Sequence, residues 1–342
     1  MYRIIHNLVH GYSYNNIVEI FKNICTSYGF HKKLIYEGNG MKEANKDTKT
    51  LYKYLAWSFG LAYIIQIIAA YMSYKVQDYS NLVLAVSAQY LVAGMMFIPL
   101  ISVMLAGGRI KEIGWKPRIK GLIPQFLFAW FVPAILTAIG VALYFCIFRS
   151  HFDITGSYLV AVAGQEALDA ITSTGMTYGT YILISCISCI TYAPLINMFF
   201  AVGEEAGWRG YMYPALREKL GQKKAWIIGG IIWGMWHWPL MIFSGYEYGK
   251  EYIGFPVVGM VLFCVVTVAL GIMCDYVYQK SQCIWYPAIF HGAFNAAATI
   301  PQTITHTGLD KYRLLGSAPV GLIAGIPFFA LALFIYVKFK KD

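Results

Sequence analysis

Charge is scarce in this sequence. Of its 342 residues only 13% are Asp, Glu, Lys or Arg, whereas soluble globular domains carry about 25%. Acid is scarcer still, with 17 Asp and Glu against 27 Lys and Arg, a formal net charge of +10. Such a surplus would suit nucleic acid if it were gathered in one patch. It is spread instead over short loops between apolar runs, so no nucleic-acid partner is expected. Metal-type cysteine spacing is also missing. Seven cysteines are present (Cys25, Cys146, Cys186, Cys189, Cys264, Cys274, Cys283), and only Cys186 and Cys189 stand in a CxxC-like relation. They fall inside an apolar run, which argues against a redox or metal role. The first thirty residues lack a continuous apolar stretch, so a cleavable signal peptide is not expected. No internal repeat is visible. Transporters built from inverted repeats often show paired broken helices in their two halves; here the polar residues of the apolar runs concentrate in one half.

What fills the chain is hydrocarbon, with 58% hydrophobic residues and a mean hydropathy of +0.54. Eight apolar runs approach the roughly 20 residues a bilayer needs: 54–73, 82–106, 122–147, 181–206, 225–243, 254–274, 284–300 and 316–337. The expected fold is an all-α bundle of about eight transmembrane helices with a polar site inside. The fourth run is expected to continue as helix beyond the bilayer. The loop from His151 to Gly179 is long enough for a short surface helix. Residues 1–50 read as a polar extension, in which Ile17, Val18, Ile20, Phe21, Ile24 and Cys25 recur at the spacing of an interfacial amphipathic helix. Residues 51–342 form the main domain.

Basic residues set the orientation. Arg109, Lys111, Lys116, Arg118 and Lys120 follow the second run. Arg209, Arg217, Lys219, Lys223 and Lys224 follow the fourth, and Lys338, Lys340 and Lys341 end the chain. The alternate loops are poor in Lys and Arg. Eight spans then put both termini and both rich loops in the cytoplasm. Gly114-Trp115-Lys116-Pro117 is expected to form a surface turn in one of these loops.

Ionisable residues inside the runs are costly, roughly 2.5–3.5 kcal/mol each on insertion scales, and mark functional sites by default. Glu204 and Glu205 close the fourth run, and Arg209 lies four residues past Glu205, on the same helix face. Glu204 points about 100° away and has no counter-ion of its own. His237 sits in Trp233-Gly234-Met235-Trp236-His237-Trp238-Pro239, in the fifth run. His291 and Asn295 share one face of the seventh. At 1.5 Å per residue, Glu204 and His237 rise about 20–25 Å above the turn at Gly221, and His291 enters about 12 Å from Cys283. Taken singly, each histidine is a satisfied core residue, Asn295 is interhelical glue and the tryptophans are packing. Three motifs at compatible depth indicate one shared site.

These three motifs together, over roughly residues 120–300, resemble the family of CAAX proteases and bacteriocin-processing enzymes (the Abi family), multi-pass intramembrane proteases that include the type II CAAX prenyl endopeptidases. Trp233 stands where the family often has Phe, a departure expected to affect packing only. The polar N-terminus is not needed by the family's core. The resemblance implies an endopeptidase that cuts near the terminus of a membrane-associated protein or peptide, either lipid-modified or a secreted precursor. It implies Glu204 as general base with His237 sharing the water, and His291 and Asn295 as oxyanion donors. Glu205 and Arg209 are expected to support the site. The metal question has two answers. A glutamate–water scheme needs none and is slightly preferred. A zinc scheme would take Glu204, His237 and His291 as ligands, with Glu205 as base, although no HExxH spacing is present. The competing class is non-proteolytic: a proton-coupled transporter, or a bacteriocin-immunity or binding factor. If the source is bacterial, the expected location is the plasma membrane.

Overall fold

The computed structural model of the protein describes residues 40–75 and 82–339. The amphipathic helix expected around residues 17–25 lies outside the described residues. Among these the chain is helical, apart from one isolated bridge between Phe152 and Thr305. In chain order the helices are α1 (Gly40–Lys75), α2 (Leu82–Met95), α3 (Ile98–Ala106), α4 (Ile123–Ile147), α5 (Ser157–Ala163), α6 (Gln165–Ser173), α7 (Tyr178–Ile190) and α8 (Ala193–Gly207). A π-turn (Trp208–Met212) leads from α8 into α9 (Tyr213–Leu220). Then follow α10 (Gln222–Trp236), α11 (Trp238–Ser244), α12 (Val257–Ser281), α13 (Trp285–Ala298), α14 (Ile300–Thr303) and α15 (Ile326–Lys338). The protein is a multi-pass helical membrane bundle.

The described residues do not confirm the expected count of eight spans. Four helices are long and apolar enough to cross a bilayer unaided: Thr48–Lys75, Ile123–Ile147, Gln222–Ser244 and Val257–Ser281. Two bent pairs raise the number to six if each is one span. Val86–Met95 with Ile98–Ala106 bends by 44°, and Tyr178–Ile190 with Ala193–Leu220 by 53°. The seventh apolar run yields only the 14-residue α13, and the eighth the 13-residue α15. Residues 313–325 turn back on themselves before α15 instead of extending it, with Leu322 and Ile323 donating to the carbonyls of Leu314 and Leu315. The long loop after α4 holds two short helices, α5 and α6, where one was expected.

A proline and a buried amide break the fifth run where its histidine sits. Pro239 has no N–H, so the carbonyl of Met235 loses its helical donor. Tyr63 of α1 supplies one instead, its hydroxyl 3.0 Å away. Gln66, also on α1 and fully buried, enters the next rung. Its amide nitrogen donates to the Trp236 carbonyl at 2.7 Å and its oxygen accepts from the Leu240 amide at 3.3 Å. A side chain inserted into the i→i−4 ladder is a recognised cause of a break. His237 stands at that break, between α10 and α11.

Close helix contact brings the other histidine into place. At Gly292 of α13 an added Cβ would lie 2.6 Å from the Met198 nitrogen and 2.7 Å from the Pro194 oxygen, so α13 lies directly on the backbone of α8. The start of α13 is fixed from the loop after α3. Gly114 takes φ +84° against the backbone of Gln282, and its carbonyl accepts from Ile284 at 3.0 Å. The indole of Trp285 donates to the Trp115 carbonyl at 2.8 Å. The surface turn expected at 114–117 is therefore also the anchor of α13.

Candidate active site

Glu204 and Glu205 occupy the last turn of α8 and are 2% and 0% exposed; Arg209, in the π-turn, is 0% exposed. The expected pair forms, with Arg209 Nη1 at 2.8 Å from Glu205 Oε1. The same oxygen accepts from His291 Nδ1 at 2.8 Å. A carboxylate has no proton to give, so the imidazole donates, and its Nε2 is left for another partner. Glu205 thus holds a cation with one face of its charge and aims a histidine with the same atom.

Glu204 has no cation on it, as its direction on the helix implied. Two indoles hold it. Trp208 Nε1 donates to Oε2 at 3.1 Å and Trp233 Nε1 to the same oxygen at 2.7 Å. Oε1 is left for a further partner. Trp208 is one helical turn beyond Glu204, a spacing visible in the sequence. Trp233 arrives from α10, so the reading of Trp233 as a packing residue is corrected: it is a hydrogen-bond donor to the site's carboxylate.

Trp233 is also the hub. The Arg209 guanidinium lies 4.2 Å from its ring centroid, within cation–π range. The His291 ring meets it edge-on at 5.3 Å. Its carbonyl accepts from His237 Nδ1 at 3.0 Å, one turn on, which leaves Nε2 of that ring free as well. His237 is braced by Tyr246, parallel at 5.9 Å, and by Phe263 edge-on at 5.1 Å. Tyr246 was not singled out from the sequence, where nothing distinguishes it from Tyr248 and Tyr252 in the same loop. Asn295 lies one turn beyond His291 on α13 and is half-buried.

The three side chains considered as zinc ligands were Glu204, His237 and His291. Among the described residues no three His, Cys, Asp or Glu side chains gather into a group fit to hold a metal ion. Cys186 and Cys189 are free thiols.

A third buried carboxylate lies beside the site. Asp275 of α12 is fully buried and accepts from Arg217 at 2.8 Å, Gln222 at 3.0 Å, Trp226 at 2.7 Å and Gln279 at 2.6 Å. It ties α9, α10 and α12 together beneath the π-turn. Its signal in the sequence was a single acid closing the apolar run that begins at Val257.

This part of the sequence has known relatives. The family model described as type II CAAX prenyl endopeptidase Rce1-like matches residues 186–297. A curated relative, CAAX prenyl protease 2 of Methanococcus maripaludis, is 33% identical over 96 residues. That match covers 28% of this chain and 35% of the relative, so the similarity spans about a third of the relative's length. The similarity to the CAAX proteases thus lies in residues 186–297, which carry Glu204, Glu205, Arg209, His237, His291 and Asn295.

Proposed function

We propose that the protein is an intramembrane endopeptidase of the CAAX type, hydrolysing a peptide bond near the terminus of a membrane-associated protein or peptide. The observation that carries this reading is the ring of four ionisable side chains around Trp233. Glu204, Arg209 and His291 contact its indole, and His237 its carbonyl.

In this reading Glu204 is the general base. Two indole donors on Oε2 fix the carboxylate without neutralising it, and Oε1 faces the attacking water. His237, its Nδ1 committed to the backbone, shares that water through Nε2. The water oxygen adds to the peptide carbonyl carbon as its proton passes to Glu204. The oxyanion is stabilised by His291 and Asn295. For His291 to donate from Nε2 while Nδ1 donates to Glu205, the ring carries both protons; Glu205 already pairs with Arg209, so the remaining positive charge is met by the developing oxyanion. The C–N bond then breaks, and the proton held by Glu204 goes to the leaving amine. No step passes through a metal.

The test is a substitution series with a lipid-anchored peptide library as substrate. Glu204→Gln keeps the shape and loses the basicity, so turnover is expected to vanish while substrate remains bound and recoverable by mass spectrometry. Asn295→Ala is expected to lower turnover by about 10²–10³, the usual loss for an oxyanion donor. Chelation should leave activity unchanged. One zinc per chain, with activity removed by chelation and restored by zinc, would replace this scheme by one with Glu205 as base. A Glu204→Gln protein with full biological effect would point to the non-proteolytic class instead.

A further inference from the structure

Where α12 and α15 end, a cavity of about 540 Å³ opens between them. Its polar rim includes Arg217, Gln222, Lys280 and Lys338, and its wall includes Tyr276 and Phe334. Among the described residues no Asp or Glu lines it. Arg217 is engaged from behind by Asp275. Lys280 and Lys338, each in the last turn of its helix, are exposed and form no ion pair among the described residues. The apolar wall continues outward along α15, where Leu333, Phe334 and Val337 are 62%, 59% and 61% exposed. That stripe belongs to a helix too apolar for water. The cavity therefore joins positive charge at the end of a span to a hydrocarbon-facing wall.

We propose that this cavity binds an anionic phospholipid of the surrounding bilayer, its phosphate between Lys280 and Lys338 and an acyl chain along Phe334. Basic pockets between helices at the membrane boundary suit such headgroups. A soluble anion would use the lysines and leave the exposed apolar stripe uncovered, and a zwitterionic lipid would leave the lysines uncompensated. The lipid would also hold α15 on the bundle, where Phe339 meets Trp226 edge-on at 4.9 Å and Lys223 lies 5.0 Å from the Tyr336 ring. This site is separate from the residues around Trp233 and does not depend on their chemistry.

Full-length protein in detergent, titrated with phosphatidylglycerol or phosphatidylcholine and read by native mass spectrometry, tests it. Phosphatidylglycerol is expected to be retained at least tenfold more tightly. Each basic side chain near an anionic lipid is worth a factor of about five, so the Lys280→Gln/Lys338→Gln double variant should lose about thirtyfold. Lys280→Arg/Lys338→Arg should keep it. Lys111→Gln/Lys120→Gln, with the same loss of charge elsewhere, should bind as the parent does. Equal retention of both lipids, an unaffected Gln double variant, or an equal loss in the Lys111/Lys120 control overturns the proposal. So does displacement by glycerol phosphate at equal concentration, which would make the occupant a soluble phosphate ester. Unchanged melting of lipid-free Gln and Arg variants separates lost binding from lost folding.

Discussion

At the scale of single residues, the site depends on what each polar atom is left free to do. Glu205 spends one oxygen on both Arg209 and His291, and Glu204 spends one on two indoles. A hydrogen bond to a charged group is worth about 1.5–3 kcal/mol. Trp233→Phe keeps a ring face for Arg209 and removes one of the two donors on Glu204. Turnover is expected to fall about tenfold at nearly unchanged melting temperature, since the Trp208 donor remains; undiminished kcat would remove Trp233 from the mechanism. A second titrating group lies outside the spans. His151 is buried against Tyr144, whose hydroxyl is 2.8 Å from Nδ1. Burial, with His306 nearby, holds the His151 imidazole below its ordinary value of 6.5. The unfolded chain therefore binds the proton first. Stability from this residue is complete above about pH 6.5 and drains away as pH falls toward the folded value. Melting temperature in nanodiscs should decline from pH 7.5 to 5.5, and His151→Gln should flatten that decline. Asp153 acts lower. Burial opposes its charge, but hydrogen bonds from Ser157 and Thr155 outweigh that and hold its pKa below 3.8, so its contribution is lost only below about pH 4.

At the scale of helices, the question is how far the motifs alone fix their meeting. Gly292 gives the sharpest test. Overpacking a tight contact costs about 1–3 kcal/mol. Gly292→Val is expected to push α13 off α8, lower the melting temperature and separate His291 from Glu205, with activity falling further than stability explains. Full activity would mean that the contact at Gly292 does not position His291. Much of the site was legible beforehand. The Glu205–Arg209 pair follows from i, i+4 spacing, and the common depth of Glu204 and His237 from residue counts along a hairpin. The indoles were not legible as donors, because a tryptophan in an apolar run looks the same whether it packs or donates. Nor was Gln66 legible, since its partners are backbone atoms some 170 residues away. The expected number of spans is not confirmed for a related reason. Hydropathy reports how apolar a segment is, whereas a break at Thr191 and Tyr192 or a turn at 313–325 is decided by local backbone geometry.

For the whole molecule, orientation remains an expectation from the Lys/Arg distribution. Cysteines introduced at Lys75, Ser150 and Asp310 are expected to label from outside the cell, and those at Glu112 and Gly221 only after permeabilisation. The opposite pattern would invert the protein in the bilayer. Length conservation is the other global property the structure sets. The π-turn at Trp208–Met212 holds one residue more than an α-turn; it lies between Glu205, paired with Arg209 inside the turn, and Arg217, paired with Asp275. Loops elsewhere tolerate gains and losses, but here one residue removed rotates everything beyond it by about 100°. Between Glu205 and Arg217 the chain is therefore a vernier: a single-residue insertion or deletion puts one ion pair out of phase with the other.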